Sequence, residues 1–187
     1  MKKIFLLFSF VLMLLLFAAD RSYGQATFNN TGIFSAGIHF VFEPDEEFSH
    51  DQKIPPLMMA YEAGISEYFT LGGVIAYSLW EYENNNISYI NLGTKGSYHL
   101  TPLINDLFKS SLNESKLDLY ATASLVMEMK QHDTIGETEA TIFLDDVSIN
   151  FGIAGGVRYY FSRDTAIFTE VGKGVMGLVC LGVSFRM

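Results

Sequence analysis

The stretch SINFGIAGGVRYYF, residues 148–161, decides the fold, because its side chains fall into two different sets when every second residue is taken. The first set is mostly large and apolar and consists of Ile149, Phe151, Ile153, Gly155, Val157, Tyr159 and Phe161. The second set is mostly small or polar and consists of Ser148, Asn150, Gly152, Ala154, Gly156, Arg158 and Tyr160. Because successive side chains of a β-strand point to opposite faces, this alternation predicts a strand with one bulky apolar face and one small polar face.

The same alternation recurs in seven other stretches, so the sequence predicts eight strands. The stretches are TGIFSAGIHFVF, LMMAYEAGI, TLGGVIAYSLW, ISYINLGTKGSYHL, KLDLYATASLVMEMK, AIFTEVGKG and GLVCLGVSFRM. Most connections alternate between long acidic segments and tight turns, which places the long loops together at one end of the sheet. One longer connection on the short-turn side, TPLINDLFKSSLNES, predicts a short amphipathic helix with Thr101 as its N-cap and Pro102 as its first residue.

The size of an eight-stranded barrel indicates which face lies inside. Its interior is barely wide enough for side chains, so the small polar face must be the inner one. The large apolar side chains then point outward, which suits lipid, and a closed barrel leaves no unpaired backbone groups in hydrocarbon. The sequence therefore predicts an all-β fold, an eight-stranded antiparallel transmembrane up-and-down β-barrel over residues 25–187. The alternative is a soluble, secreted lipocalin-like binding barrel, which would turn Gly, Ala and Ser toward water on many strands.

Composition and the N-terminus narrow the class of protein. A formal net charge of −9 and a pI near 4.8 argue against nucleic acid as a partner. Residues 1–24 contain Lys2, Lys3, an apolar run over residues 4–19 and then small residues, which predicts a secretory signal peptide; the alternative is an uncleaved inner-membrane anchor. Cys180 is the only cysteine, which excludes an intramolecular disulfide and a thiolate metal cluster. No cofactor is predicted.

Four segments carry a resemblance to a known family: FGIAGGVRYYFSRD, FTEVGKG, KLDLYATASL and the C-terminal CLGVSFRM. On these segments the chain resembles the small outer-membrane β-barrel proteins of the OmpA/OmpX type, often called porin-like, and is most similar to their version in Gram-negative Bacteroidetes. The resemblance implies a location in the outer membrane with both termini in the periplasm. It also implies a structural, adhesive or surface-interaction role, and contacts with outer-membrane lipids and lipopolysaccharide.

The C-terminal segment is similar to the signal that the barrel-assembly machinery reads during biogenesis. Gly182, Phe185 and Met187 occupy the glycine and hydrophobic positions of that signal. The segment departs from the family pattern at Cys180, where a polar residue is usual, and at Met187, where a terminal Phe is usual. The resemblance therefore implies a transient partner, the assembly machinery, that contacts the last strand.

The predicted inner face collects charged and titratable side chains of both signs: His39, Glu62, Lys95, Asp118, Glu128, Lys130, Arg158, Glu170 and Arg186. Since an unpaired charge in a narrow lumen is costly to desolvate, these groups should pair and form a polar plug without a large pore. A turn of Arg163, Asp164 and Thr165 would place Arg158 opposite Glu170, where an ion pair is expected; a register shift of two would leave them diagonal neighbours.

Two other functions are alternatives to this structural role: lipid modification, and binding of cations or a ligand by the acidic loops. An enzyme that modifies lipid A or phospholipid would need a hydroxyl, an imidazole and an acid together, and Ser35, His39 and Glu62 are the nearest candidates. Ser35 and His39 lie four residues apart on one strand at about 3.3 Å per residue, too far for a hydrogen bond, so no catalytic residue is predicted. The acidic loops could hold divalent cations or an extracellular ligand, but solvated loops are favoured and no metal ligands are assigned. Their residues are Asp45, Glu46, Glu47, Asp51, Asp133, Glu137, Glu139, Asp145 and Asp146.

Overall fold

The computed structural model describes residues 31–40, 51–82, 85–109, 112–113, 115–134 and 144–187. The side chains of residues 51, 82, 85, 132–134 and 144–146 are not included in this description. The predicted signal peptide, residues 1–24, lies outside the described residues, and so do the acidic positions 45–47, 137 and 139.

Eight strands and one helix make up the described part of the chain. They are β1 (Gly32–Phe40), β2 (Asp51–Gly64), β3 (Phe69–Tyr82), β4 (Asn85–His99), α1 (Leu100–Phe108), β5 (Leu117–Thr134), β6 (Leu144–Tyr160), β7 (Thr165–Lys173) and β8 (Val179–Arg186). Each strand pairs antiparallel with its neighbour in sequence, and β8 closes the barrel on β1. The predicted eight-stranded antiparallel up-and-down β-barrel is therefore confirmed.

Side chains alternate between the outside and the inside of the barrel as the sequence predicts. On β6, Ile149, Phe151 and Ile153 point outward and are 71%, 56% and 60% exposed, whereas Ala154 and Arg158 are buried. The large apolar side chains of the other strands lie on the same outer surface, which we call the outer wall. They include Met59, Tyr61, Ile75, Leu125, Ile167, Val171, Leu181 and Phe185.

Small residues on the inner face make room for the few large ones. Gly156 lies directly opposite Tyr120 in the pairing of β5 with β6. A Cβ atom on Gly156 would lie 2.3 Å from the Tyr120 ring, so a side chain at this position would displace the ring. The Tyr120 ring thus fills the space beside Gly156.

The interior has an apolar layer in addition to the predicted polar one. It comprises Met58, Ala60, Val74, Ala76, Val126, Phe168, Val175 and Cys180. Val175 comes from the turn between β7 and β8, and Met176 of the same turn packs against the layer. The turn is held to the end of β1 by a hydrogen bond from Leu178 N to Phe40 O (3.2 Å). This turn therefore covers the lumen at the long-loop end.

The register between β6 and β7 differs by two residues from the predicted one. Tyr159, rather than Phe161, pairs with Ile167, and Arg158 lies opposite Phe168. The reason is the turn, in which Ser162 Oγ accepts hydrogen bonds from the backbone N–H of Asp164 (3.4 Å) and of Thr165 (3.0 Å). Such a serine turn closes the loop one residue earlier than predicted, and the expected pairing of Arg158 directly opposite Glu170 is wrong.

The helix in the β4–β5 connection is present, but its first residue differs from the prediction. It begins at Leu100, with His99 at the N-cap position and no side-chain cap. Thr101, the predicted N-cap, lies inside the first turn, where its Oγ1 accepts a hydrogen bond from Leu119 N (2.7 Å). The hydroxyl therefore ties α1 to β5 instead of capping the helix.

Candidate functional site

The candidate site is a buried network of charges in the half of the lumen nearer the short turns, and Arg158 and Asp118 lie at its centre. They face each other across β5 and β6, and Arg158 Nη1 donates to Asp118 Oδ2 over 2.7 Å. Arg158 Nε donates to Ser184 Oγ (3.1 Å), which lies 2.9 Å from Ser35 Oγ. The guanidinium also lies 4.5 Å from the centre of the Tyr120 ring, a cation–π contact. This fully buried arginine thus makes two hydrogen bonds to polar side chains and one contact with an aromatic ring.

His99 extends the network from Asp118 to Glu62. Its Nδ1 lies 2.8 Å from Asp118 Oδ1, and its Nε2 lies 3.2 Å from Thr70 Oγ1. Thr70 donates its own proton to Glu62 Oε1 (3.1 Å), so the hydroxyl must accept from His99. Through these contacts His99 links the carboxyl groups of Asp118 and Glu62.

A second ion pair crosses the lumen from β4 to β7. Lys95 Nζ lies 2.5 Å from Glu170 Oε1, and Tyr120 OH donates to the same oxygen over 2.9 Å. Because β4 and β7 are separated in the sheet by β5 and β6, this pair bridges the barrel rather than running along its wall. Ser97 Oγ, also on β4, donates to Glu62 Oε1 on β2 over 2.6 Å. Side chains of β4 therefore connect to both β7 and β2.

The network contains three acids, Glu62, Asp118 and Glu170. Arg158 pairs with Asp118, Lys95 pairs with Glu170, and Glu62 Oε1 accepts from the hydroxyls of Thr70 and Ser97. An uncompensated charge at this depth would cost several kcal/mol in desolvation, so these contacts are the condition for placing the acids in one lumen.

Five of the nine predicted inner-face residues meet in this network: Glu62, Lys95, Asp118, Arg158 and Glu170. The expected ion pair between Arg158 and Glu170 does not form, since Asp118 lies directly opposite Arg158 and Lys95 reaches Glu170 from across the barrel. Asp118 and Lys95, rather than each other, are therefore the partners of Arg158 and Glu170.

The other four predicted residues lie elsewhere on the inner face. Glu128 Oε2 accepts a hydrogen bond from Asn91 Nδ2 (3.3 Å), and Lys130 Nζ lies 5.7 Å from the centre of the Tyr89 ring. Arg186 stacks its guanidinium 4.1 Å from the centre of the Tyr160 ring.

His39 is buried beside its cross-strand neighbour Cys180, and neither of its ring nitrogens has a hydrogen-bond partner among the described residues. Its Nε2 would lie 3.0 Å from a Cβ atom on Gly174, in the turn that covers the lumen. His39 thus belongs to the apolar layer rather than to the charge network.

His99 is the important residue that the sequence interpretation missed. Alternation places it on the inner face with Lys95 and Ser97, but a histidine at the end of a strand gives no sign of a role in a buried network. The signal would have been its register: His99 pairs with Tyr120, beside Asp118 on the same face of β5. Predicting that contact requires the β4–β5 register. The helix between the two strands prevents that register from being predicted from the length of a turn.

The residues considered for catalysis do not assemble into a catalytic site. Ser35 contacts Ser184, Glu62 contacts Thr70 and Ser97, and His39 contacts none of these polar groups. A hydroxyl, an imidazole and a carboxylate do line up as Thr70, His99 and Asp118, but the hydroxyl donates to Glu62, and both Thr70 and His99 are completely buried.

The described residues contain no group of three or more His, Cys, Asp or Glu side chains arranged to hold a metal ion. Among the same residues, no helix is long and apolar enough to cross a membrane.

Gly182, Phe185 and Met187, the predicted assembly signal, all lie at the end of the chain on or after β8. Phe185 and Met187 face outward, 41% and 66% exposed, and Phe185 stacks on Phe34 of β1 with ring centres 6.5 Å apart. A Cβ on Gly182 would lie 2.2 Å from Ala36 O, so the glycine permits the close approach of β8 to β1. Recognition of these residues by the assembly machinery stays a prediction.

No family model matches the chain, and no curated protein matches it. Similarity to solved structures is detectable but low. The N-terminal β-barrel domain of OprF from Pseudomonas aeruginosa is 13% identical, with 84% of this chain and 96% of that chain covered and a TM-score of 0.46. Ail, the attachment invasion locus protein of Yersinia pestis, is 10% identical, with 84% and 95% covered and a TM-score of 0.46. A de novo designed transmembrane β-barrel is 14% identical, with 89% and 100% covered and a TM-score of 0.43. The function proposed below therefore rests on the geometry of this chain.

Charge reversal tests the pair that bridges the lumen. Lys95→Glu and Glu170→Lys each place two like charges together, so each should lower the free energy of unfolding by about 3–5 kcal/mol. The double variant restores opposite charges and should recover most of the loss. Urea unfolding in lipid vesicles, followed on unheated gels, measures all three variants.

The matched control is Arg158→Glu combined with Glu170→Arg. Because Arg158 pairs with Asp118 and Glu170 pairs with Lys95, this exchange leaves both original partners facing like charges and should recover nothing. Recovery in this double variant, with none in the Lys95 and Glu170 pair, would contradict the observed pairing.

Two buried histidines allow a comparison by the same substitution. His99→Leu removes both ring hydrogen bonds and leaves buried acceptors without a donor, so we expect a loss of about 1–3 kcal/mol in the free energy of unfolding. His39→Leu removes no hydrogen bond and should be neutral or stabilising. Equal losses at the two positions, measured by the same urea unfolding, would show that His99 has no special role in the network.

Proposed function

We propose that this protein is an integral outer-membrane β-barrel without a large pore, with a structural, adhesive or surface-interaction role. The observation that carries the proposal is the distribution of side chains: large apolar groups cover the outside, while Glu62, Lys95, Asp118, Arg158 and Glu170 are buried inside. This is the inverse of a soluble barrel that binds ligands in an apolar lumen.

The outer wall supports contact with lipid. Its exposed large side chains extend over neighbouring strands, and in water such a continuous surface would cause aggregation. Near the short turns the wall carries a band of aromatic side chains, which is the composition typical of a membrane interface. The band consists of Phe69, Tyr98, Tyr159, Phe161 and Phe185. Because the barrel is closed, its backbone polar groups are paired between strands, as hydrocarbon requires.

Two layers support a closed lumen. Lys95 and Glu170 bridge the lumen, and Tyr120 donates a hydrogen bond to Glu170. Val175 and Met176 from the β7–β8 turn join the apolar layer at the long-loop end. Ions would have to pass both the polar network and an apolar constriction, so we expect no steady conductance.

The orientation follows from the same proposal. Gly32 and Met187 exchange backbone hydrogen bonds (2.9 and 2.8 Å) at the short-turn end, so the two chain ends of the barrel meet there. We place this end in the periplasm and the long loops outside the cell, with residues 1–24 as the export signal. Lipopolysaccharide, the assembly machinery and an extracellular ligand at the acidic loops are the partners this arrangement would meet. The closer assignment to the Bacteroidetes version of the family is part of the same proposal.

Lipid modification is not favoured by the geometry. A catalytic hydroxyl would have to reach an acyl chain or headgroup, whereas Thr70 and its partner His99 have no exposed surface. The surface-interaction role therefore accounts for the described residues better than the enzymatic one.

Cysteine labelling tests the membrane assignment at two adjacent positions on β6. In a Cys180→Ser background, a lipid-sensitive dye on Ile153→Cys should be quenched by brominated acyl chains, because this position points outward. The same dye directed to Ala154→Cys should be inaccessible or unquenched, since Ala154 is 6% exposed and points inward. Equal quenching at both positions, or at neither, would contradict the proposal, and steady porin-like conductance in planar bilayers would contradict the closed lumen.

A further inference from the structure

Helix α1 carries an apolar surface that no described residue covers. Leu103 and Leu107, and likewise Ile104 and Phe108, are spaced four residues apart and so lie on one side of the helix. Leu107 and Phe108 are 67% and 75% exposed, even though α1 lies at the end of the barrel and not on its outer wall.

Polar contacts fix the helix beside the aromatic band of the outer wall. Tyr68, in the β2–β3 turn, donates from its hydroxyl to Asp106 Oδ2 over 3.0 Å, and its ring stacks on Tyr98 with centres 6.2 Å apart. The hydrogen bond to Asp106 raises the pKa of Tyr68 to about 12, so the phenol stays a donor at neutral pH. Tyr98 itself faces outward, so the helix is tied to the edge of the wall.

The C-terminal end of the helix is locked as well. Asn105 makes two hydrogen bonds with the backbone of Leu112, one donated by its Nδ2 (2.9 Å) and one accepted by its Oδ1 (3.0 Å). Lys109 ends α1 in the left-handed conformation. The apolar pair Leu107 and Phe108 thus lies on the turn of the helix next to Asn105, which these hydrogen bonds fix.

The charges around the apolar pair indicate what covers it. Lys109, directly after the helix, and Lys116, directly before β5, are both exposed. Two exposed acids lie nearby, Glu67 in the β2–β3 turn and Asp106 on the helix, and Asp106 accepts the hydrogen bond from Tyr68. The loops at the opposite end of the barrel are acidic. Exposed apolar side chains next to lysines are the composition of helices that lie in a lipid interface, where the ammonium groups reach the phosphates.

We propose that α1 is an interfacial helix that lies in the periplasmic leaflet, with Leu107 and Phe108 in the acyl boundary and the two lysines at phospholipid phosphates. This inference rests on the proposed function, because it requires the outer wall to be in the same bilayer. It gives the barrel a second lipid contact, parallel to the membrane plane, beside the wall that spans it.

Tryptophan fluorescence tests the position of the helix. In a Trp80→Phe background, Phe108→Trp reports on α1, Ile153→Trp on the outer wall, and Arg163→Trp on an exposed turn at the same end of the barrel. In vesicles of phosphatidylethanolamine and phosphatidylglycerol, we expect Phe108→Trp to be quenched by lipids labelled near the headgroup, at a depth of about 5–10 Å. Quenching should be several-fold stronger than for Arg163→Trp, and iodide should quench the two in the opposite order.

The outcomes separate the two proposals. If Phe108→Trp is quenched by iodide as strongly as Arg163→Trp while Ile153→Trp is still quenched by lipid, the interfacial helix is wrong and the membrane barrel stands. If Ile153→Trp is not quenched by lipid either, both proposals fall. Shielding of Phe108→Trp that disappears when the vesicles contain less protein per lipid would assign the apolar pair to contacts between copies of the chain, which also overturns the inference.

Discussion

The width of the lumen is the constraint on which the rest of the structure depends. Eight strands enclose a space that admits little more than one layer of side chains, so the inner face must be built from small residues around a few large ones. The Tyr120 ring occupies the space beside Gly156. Tyr120 in turn makes a cation–π contact with Arg158 and donates a hydrogen bond to Glu170. Large apolar side chains that do not fit inside the lumen point outward and form the outer wall.

Charges in so narrow a space must be paired, and pairing gives the barrel its specificity. Backbone hydrogen bonds alone do not distinguish one register from another two residues away, because such a shift keeps every side chain on its face. The contacts of Asp118 with Arg158 and His99, and of Lys95 with Glu170, do distinguish them, since a shift in register would separate partners at hydrogen-bonding distance. We infer that the network selects the register as well as closing the lumen, which is the best-attested use of buried polar groups.

The sequence predicted the parts of the fold that depend on neighbours along the chain. Alternation is a local signal, so the strands, their number and their inner and outer faces could be predicted from stretches such as residues 148–161. The position of a turn is decided by finer chemistry: Ser162 accepts two backbone hydrogen bonds and moves the β6–β7 register by two residues. For that reason Arg158 lies opposite Phe168 and not opposite Glu170.

Contacts across the lumen could not be predicted from the sequence, for a different reason. Lys95 and Glu170 are 75 residues apart and lie on strands that are not neighbours, so no pairing rule for adjacent strands brings them together. The insertion of Val175 into the apolar layer likewise depends on how a turn folds back, and the role of His99 depends on a β4–β5 pairing that α1 separates in sequence.

Nuclear Overhauser contacts between methyl groups and lipid test the central claim, that the apolar face is outside and the closed polar face is inside. With the protein in lipid nanodiscs, the methyl groups of Ile149, Ile153 and Val157 should show cross-peaks to acyl-chain methylenes, because these residues are exposed on the outer wall. The methyl groups of Val74, Val126 and Ala154 should show none, because they are buried in the lumen. Acyl-chain cross-peaks to the second set, or water cross-peaks to the first, would contradict the account.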